Sequence, residues 1–188
     1  MKNFRKSGGR GFASSIAAVL TVLALSFAIA AVLSFSSLQH AGLVSTESRK
    51  VFEVFQDSKP FFDASVTDAL LDSAYQTCGC SASNASGLNA AITQLVPQYL
   101  ANSSARLSFG PVFVNYSSLS IPSFSASSCN TSLTGTFIYD INANSTNARI
   151  NTSISVSKTL GIQKNSSAVW INVSNSTTLV ANVTVTCA

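Results

Sequence analysis

The chain has 188 residues, of which only 10% are charged, where a soluble globular protein averages roughly 25%. Its formal net charge is +4, and four positive side chains, Lys2, Arg5, Lys6 and Arg10, lie in the first ten residues, so the remaining chain is neutral. A neutral body argues against a basic nucleic-acid-binding face, and a hydrophobic fraction of 46% argues against a disordered chain.

An uncharged stretch follows this basic tag. No Asp, Glu, Lys or Arg occurs in residues 11–46, and the segment 16–35 has three hydroxyl-bearing side chains as its only polar members. A helix of about 20 residues rises about 30 Å, the thickness of the hydrocarbon core of a bilayer. We therefore predict a transmembrane helix over 12–38. The tag, residues 1–11, would lie in the cytoplasm and the rest of the chain outside the cell, because positive flanks face the cytoplasm.

Two alternatives remain open for this segment. A cleaved secretory signal with a site at Ala28-Ile29-Ala30 is one of them, although the apolar region of such signals is usually only about 7–15 residues long. Small residues also recur on one face of the helix, which permits self-association, whereas an Ala-rich helix without a partner would show the same pattern. These small residues are Ala17, Thr21, Ala24, Ala28 and Ala31.

Residues 39–76 are predicted to form a helical stalk. Their apolar side chains recur with helical spacing, as a helix with one buried face requires. They are Val44, Val51, Phe55, Phe62, Val66 and Leu70. Because proline disrupts a helix interior, we expect a break near Pro60, with the first helix ending at about Asp57 and a second running to about Tyr75. A third helix is predicted at 87–100, where Pro97 would bend it or end it early.

The apolar period changes from helical to alternating after Ala105, which predicts antiparallel strands with one buried and one wet face. The predicted strands are 106–116, 134–141, 148–157, 169–173 and 179–187, with turns at 142–147 and 175–176. The expected fold is α+β: a long N-terminal transmembrane and spine helix, a short helical region and an antiparallel β-sheet head. The extracytoplasmic α+β domain would span 77–188 and consist mostly of sheet.

Four cysteines in a predicted extracytoplasmic domain favour two disulfides. Pairing Cys78 with Cys80 would make a small strained ring, which leaves Cys78–Cys129 with Cys80–Cys187, or the swapped pairing. A four-thiolate zinc site or a redox-active Cys-Gly-Cys is the alternative. Zinc sites usually show two closely spaced pairs and this chain has one, so we expect no metal and no cofactor.

Ten of the fourteen asparagines begin an Asn-X-Ser/Thr sequon, the acceptor for N-glycosylation, and we predict heavy N-glycosylation. Asn151, Asn172 and Asn182 fall on the polar phase of their predicted strands, where a glycan would project into solvent. The ten are Asn84, Asn102, Asn115, Asn130, Asn144, Asn151, Asn165, Asn172, Asn175 and Asn182.

Residues suited to acid–base catalysis are scarce. The single histidine, His40, follows the membrane segment, and Asp140 is the only carboxylate after Tyr75. The predicted sheet therefore lacks the titratable groups that such catalysis normally uses. We predict a protein that is not an enzyme and has no catalytic residues, with a membrane-anchored extracytoplasmic enzyme as the least supported alternative.

The sequence Arg10-Gly11-Phe12, followed directly by an uninterrupted hydrophobic helix, resembles the class III signal of type IV pilin-like proteins, including archaeal ones. The resemblance implies that a prepilin peptidase cuts between Gly11 and Phe12. It also implies that a long helix follows, packed at first in the membrane or a filament core, and leads into a β-rich head often closed by disulfides. Many pilins carry Glu at the fifth mature position, where this chain has Ile16.

These observations predict a non-enzymatic, single-pass, membrane-anchored extracellular surface glycoprotein of pilin-like architecture, with a role in adhesion, a filament or the cell envelope. The alternative is a true subunit of a type IV pilus-like filament after cleavage at Gly11–Phe12. The expected partners are the lipid bilayer, a prepilin peptidase, and copies of this chain or other pilin-like subunits bound through the N-terminal helix. No nucleic acid is expected.

Overall fold

A computed structural model describes residues 10–108, 110–175 and 178–187. Within these ranges, the side chains of residues 10–22, 35–41, 43 and 44 lie outside the description. Residues 1–9 of the predicted tag therefore lie outside the described residues. The chain divides into two units between Thr46 and Glu47.

The first long helix, α1, spans Arg10–Cys78. In the first unit, its described side chains at residues 23–34 are all exposed and include large apolar ones such as Leu25, Phe27 and Val32. Most of the remaining side chains of the predicted transmembrane segment lie outside the description. Among the residues that are described, no helix has a stretch long and apolar enough to cross a membrane.

The second unit is an α+β domain in which helices pack on one five-stranded antiparallel sheet. Each strand is hydrogen-bonded to the next one along the chain, so the sheet is a simple meander. After α1 the elements are a 3₁₀ turn at Ala85–Gly87, α2 at Leu88–Leu107, β1 at Phe113–Ser120, β2 at Thr131–Asn144, β3 at Arg149–Lys164, β4 at Ala168–Asn175 and β5 at Thr178–Thr186.

The apolar stripe predicted on α1 forms one side of the core. Its members within the second unit are each at most 3% exposed, and the ring of Phe62 lies 6.1 Å from that of Tyr139 on β2. The buried members are Val51, Phe55, Phe62, Val66 and Leu70. Val44, the first predicted member, lies among the undescribed side chains. The stripe confirms that the face repeating every three to four residues packs against the rest of the domain.

The second helix, α2, buries Leu88, Ile92, Val96 and Leu100, and it therefore packs with the spacing that the sequence predicts. Polar contacts join it to its neighbours. The hydroxyls of Ser65 and Ser103 contact each other, Tyr99 Oη donates to Asp72 Oδ2 at 3.2 Å, and Tyr116 Oη donates to the Pro97 carbonyl at 3.1 Å. The first two contacts link α2 to α1 and the third links α2 to β1.

Both predicted helix ends at proline are wrong. α1 continues through Pro60 instead of ending near Asp57, and α2 continues through Pro97 to Leu107. A proline leaves the carbonyl four residues earlier without its helical partner. These carbonyls belong to Gln56 and Thr93, which are exposed to water. The loss of each hydrogen bond therefore costs little free energy, and burial of the opposite face of each helix outweighs this cost.

The strand predictions need corrections at their ends. The strand predicted to end at residue 157 continues to Lys164 as β3, and β2 begins at Thr131 instead of residue 134. Arg106 and Leu107 end α2, so the first strand begins only at Phe113 and not at residue 106. The predicted turn at 142–147 starts too early, because β2 continues to residue 144, where Asn142 is buried and donates its Nδ2 to Ser117 Oγ at 3.0 Å. A polar side chain with a cross-strand partner is compatible with a strand interior, which composition alone does not reveal.

Candidate functional surfaces and the buried ion pair

The outer face of the sheet, defined here as the face turned away from the helices, is polar and mostly uncharged. Across β2 and β3 it carries pairs of hydroxyl groups, with Thr134 Oγ1 2.8 Å from Thr159 Oγ1 and Thr136 Oγ1 2.7 Å from Ser157 Oγ. Cross-strand hydroxyl pairs of this kind stabilise a sheet while leaving a hydrated surface. The outer face thus takes its polarity from Ser, Thr and Asn more than from charged groups.

The sequon asparagines are distributed over the surface. Eight of the ten are exposed, Asn144 and Asn175 are half-buried, and none is buried, whereas the buried Asn142 begins no sequon. Asn151, Asn172 and Asn182 occupy exposed strand positions, as their predicted phase requires. The strand register places five sequon asparagines on the outer face: Asn115, Asn144, Asn151, Asn172 and Asn182.

A shallow groove of about 610 Å³ crosses the outer face near the start of β2. Gly161 lies opposite Asn172, and a Cβ at this glycine would lie 2.1 Å from Asn172 Oδ1, so a larger residue here would displace the Asn172 side chain. Trp170, 36% exposed, lines the groove together with Gln163 and Asn130. An accessible indole beside neutral amides offers a stacking surface and hydrogen bonds suited to an uncharged polar ligand such as a sugar.

Two disulfides join the end of α1 to the sheet. Cys78 pairs with Cys129, with their Cα atoms 5.6 Å apart, and Cys80 pairs with Cys187, with a Cα separation of 5.3 Å. This is the first of the two pairings that the sequence leaves open. All four cysteines are bonded, so the structure holds no thiolate for the alternative zinc or redox site.

The ammonium of Lys164 lies at this disulfide corner, just beyond the C-terminus of α1. Its Nζ donates to the carbonyls of Gly79 at 2.7 Å, Ala82 at 2.5 Å and Cys80 at 3.5 Å, and its backbone N–H donates to Asn130 Oδ1 at 2.8 Å. The ammonium thus binds three carbonyls of the turn that follows α1, and a cation near a helix C-terminus interacts favourably with the helix dipole. Sequence reasoning missed this contact because it depends on how strand and helix meet in space.

A buried ion pair lies on the opposite, helix-facing side of the sheet, which we call the inner face. Lys158 on β3 is 0% exposed, and its Nζ lies 2.8 Å from Oδ1 of Asp63 on α1. Tyr139, 1% exposed, lies in the same part of the core. Burial raises the pKa of Tyr139, and the negative charge of Asp63 raises it further. The sequence does hold a signal for Lys158, because continuing the apolar phase of 148–156 by one step places it inside.

The sequence predicts few residues suited to acid–base catalysis and no metal site. Asp140 lies on the outer face between Ser117 and Ser153, while the side chain of His40 lies outside the description. In the described part of the chain, no three His, Cys, Asp or Glu side chains converge as metal ligands would. Gly11 and Phe12, the predicted processing site, belong to the described backbone of α1, but the Phe12 side chain does not belong to the description.

Comparison with protein-family models, curated proteins and solved structures finds no match to this chain.

Replacing Lys164 with Met should lower the free energy of unfolding by about 1.5–3 kcal/mol, because hydrogen bonds from the ammonium to three carbonyls are lost. Chemical denaturation of the full chain, followed by Trp170 fluorescence, measures the change. Lys50→Met, at an exposed helical position, is the control and should stay within about 0.5 kcal/mol of the parent. Equal stability of the two variants would show that Lys164 does not support the corner.

Tyr139 should make the domain sensitive to alkali. Because its pKa is raised in the folded state, the unfolded chain ionises first as the pH rises above about 10, and the folded state then loses up to about 1.4 kcal/mol per pH unit. Tyr139→Phe should reduce this loss, part of which remains because the pKa of Tyr99 is raised as well, and Tyr75→Phe, at an exposed position, should retain it in full. The measurement is the denaturation midpoint between pH 8 and pH 11. If the denaturation midpoints of the parent, Tyr139→Phe and Tyr75→Phe changed with pH in parallel, the assignment of the alkaline loss of stability to Tyr139 would be contradicted.

Proposed function

We propose that this chain is a non-enzymatic extracellular surface glycoprotein, anchored by a single membrane pass, whose α+β domain presents a glycan-bearing face. The observation that carries the proposal is the placement of the sequons. Ten asparagines begin one, eight of them are exposed, and five share the outer face of the sheet. A glycan needs an accessible asparagine, and the folded domain supplies accessible ones in unusual number.

The disulfides support the extracellular assignment. Persistent structural disulfides form in oxidising compartments and are rare in the cytosol. The two present here tie the C-terminal end of α1 and the turn after it to the start of β2 and the end of β5, across sequence separations of 51 and 107 residues. In the chain-entropy description, loops of that size are each worth about 4–5 kcal/mol of stability. A domain built in this way suits an environment without chaperones or reducing agents.

The composition of the outer face supports a binding or coating role more than a catalytic one. Its hydroxyl pairs hold each other across the strands, and its aromatic groove is shallow and open to solvent. Catalysis generally needs a concave site with titratable groups of shifted pKa. The two tyrosines whose pKa is raised, Tyr99 and Tyr139, lie on the helix side, where burial is the main cause.

The glycans can be tested directly. Glycopeptide mass spectrometry of the full chain purified from its natural host should find sugars on several sequons, with Asn151, Asn172 and Asn182 among the occupied ones. Asn147 is the internal control, because it is equally exposed but begins no sequon. Unmodified asparagine at all ten sequons would contradict the proposal.

A filament subunit is the second candidate, and one observation favours it. The C-terminal part of α1 packs its buried stripe on an antiparallel sheet closed by disulfides, which is the arrangement that the pilin resemblance implies. Under this alternative the four positive charges of the tag leave with the leader, and Phe12 becomes the first residue.

The mature N-terminus distinguishes the two candidates. Mass spectrometry should give a chain that begins at Phe12, with a methylated amine, if the protein enters a filament, and an intact tag if it remains an individually anchored protein. Gly11→Val should block cleavage in the first case, whereas the control Gly8→Val should leave it unchanged. A chain that begins at Met1 in the natural host would contradict the filament candidate.

A further inference from the structure

Lys158 is the least expected side chain of the core. It is 0% exposed and lies on the inner face of β3, two residues before the buried Leu160. Burying an ammonium costs several kcal/mol unless it is paired and well hydrogen-bonded. Its Nζ lies 2.8 Å from Asp63 Oδ1, yet it makes no hydrogen bond to any described residue, so the approach is not that of an aligned ion pair.

Asn175 lies directly opposite Lys158 in the β3–β4 ladder. Directly opposed residues project from the same face of a sheet, with Cβ atoms about 4.5–5.5 Å apart, so the two side chains share the inner face. The Oδ1 of Asn175 is also buried without a hydrogen-bond partner among the described residues. Two polar groups that lack partners thus meet at one sheet position, beside a carboxylate from α1.

These three groups form a reactive set. Passing a proton from the buried Nζ to Asp63 removes two opposite charges and leaves a neutral, nucleophilic amine. The carboxamide carbon of Asn175 is an electrophile held on the neighbouring strand, which converts a bimolecular reaction into an intramolecular one. The side chain of Asp63 is 30% exposed, so a small leaving group has a path to solvent.

We propose that Lys158 and Asn175 join in an intramolecular amide crosslink, with Asp63 transferring the protons. The amine nitrogen of Lys158 forms a bond to Cγ of Asn175, and the bond from Cγ to Nδ2 breaks. Through Asp63, two protons pass from Nζ, an ammonium at the start, to Nδ2, which leaves as an ammonium ion, and Asp63 ends as a carboxylate. The step needs no oxidant and no co-reactant, and the product is lighter than the encoded chain by one ammonia.

The crosslink removes the buried ammonium from the core, because Nζ becomes a neutral amide nitrogen, while Oδ1 of Asn175 remains as the carbonyl oxygen of the new amide. It also fastens β3 to β4 covalently, at the end of the β4–β5 hairpin opposite the one held by the Cys80–Cys187 disulfide. Asn175 then cannot carry a glycan, which agrees with its half-buried position. The proposal does not depend on the function proposed above.

Tryptic mapping of the full chain, after reduction and alkylation, tests the crosslink. Trypsin should fail to cut after Lys158, and the peptide 150–164 should emerge joined to 165–188 with a mass one ammonia below their sum. Lys164 is the internal control, because its ammonium contacts only carbonyl oxygens and the bond after it should be cut normally. Recovery of separate peptides ending at Lys158 would overturn the proposal. A link to Asp63 with loss of water would also overturn it.

The role of Asp63 is tested by variants. Asp63→Asn should slow formation of the crosslink about 100-fold, as expected when the proton-transferring group is removed. The readout is the intact mass of the freshly folded chain over time, which an effect on stability alone would not change. Asn175→Ala should abolish the loss of ammonia, while the control Asn172→Ala should retain it. A crosslink that forms at the parent rate in Asp63→Asn would overturn this role.

Discussion

The packing of α1 on the inner face of the sheet is the constraint on which the rest of the domain depends. The stripe from Val51 to Leu70 is buried in the same core as the inner sides of β2, β3 and β4, so the helix and the sheet cover each other. Because strand side chains alternate, this one contact also decides what faces solvent. The polar outer face, with its hydroxyl pairs and sequons, is therefore a consequence of how the helix is seated.

The parts of the fold that could be predicted are those encoded in local periodicity. The α1 stripe, the burial of α2 and the phase of Asn151, Asn172 and Asn182 each follow from spacing within one element. The disulfide pairing was narrowed to two choices by ring strain alone. The continuation of α1 through Pro60 and of α2 through Pro97 could not be predicted. It depends on whether an exposed carbonyl can be hydrated while the opposite face of the helix is buried.

The contacts of the two lysines of β3 depend on register, which explains why sequence reasoning did not find them. Lys158 and Lys164 share the inner phase of the strand, six residues apart, yet their surroundings differ completely. Lys164 lies at the end of the sheet, where the disulfides place the carbonyls of the turn that follows α1 within reach. Lys158 lies under the middle of the helix, where Asp63 is the group it meets. Position along the strand therefore decides whether a lysine of β3 binds the carbonyls of a turn or lies buried against a carboxylate.

The scarcity of charge would give glycans on the proposed sites a physical role. β5 is a sheet edge with exposed Leu179, Val180 and Val183 and no Lys, Asp or Glu, and such an edge can pair with another chain. Asn182 lies in the middle of this edge strand and is exposed. A sugar attached there would block the approach of a second strand, as a charged residue does in most proteins. In a neutral domain of this kind, Ser, Thr, Asn and their glycans would keep the chain soluble and its edges unpaired.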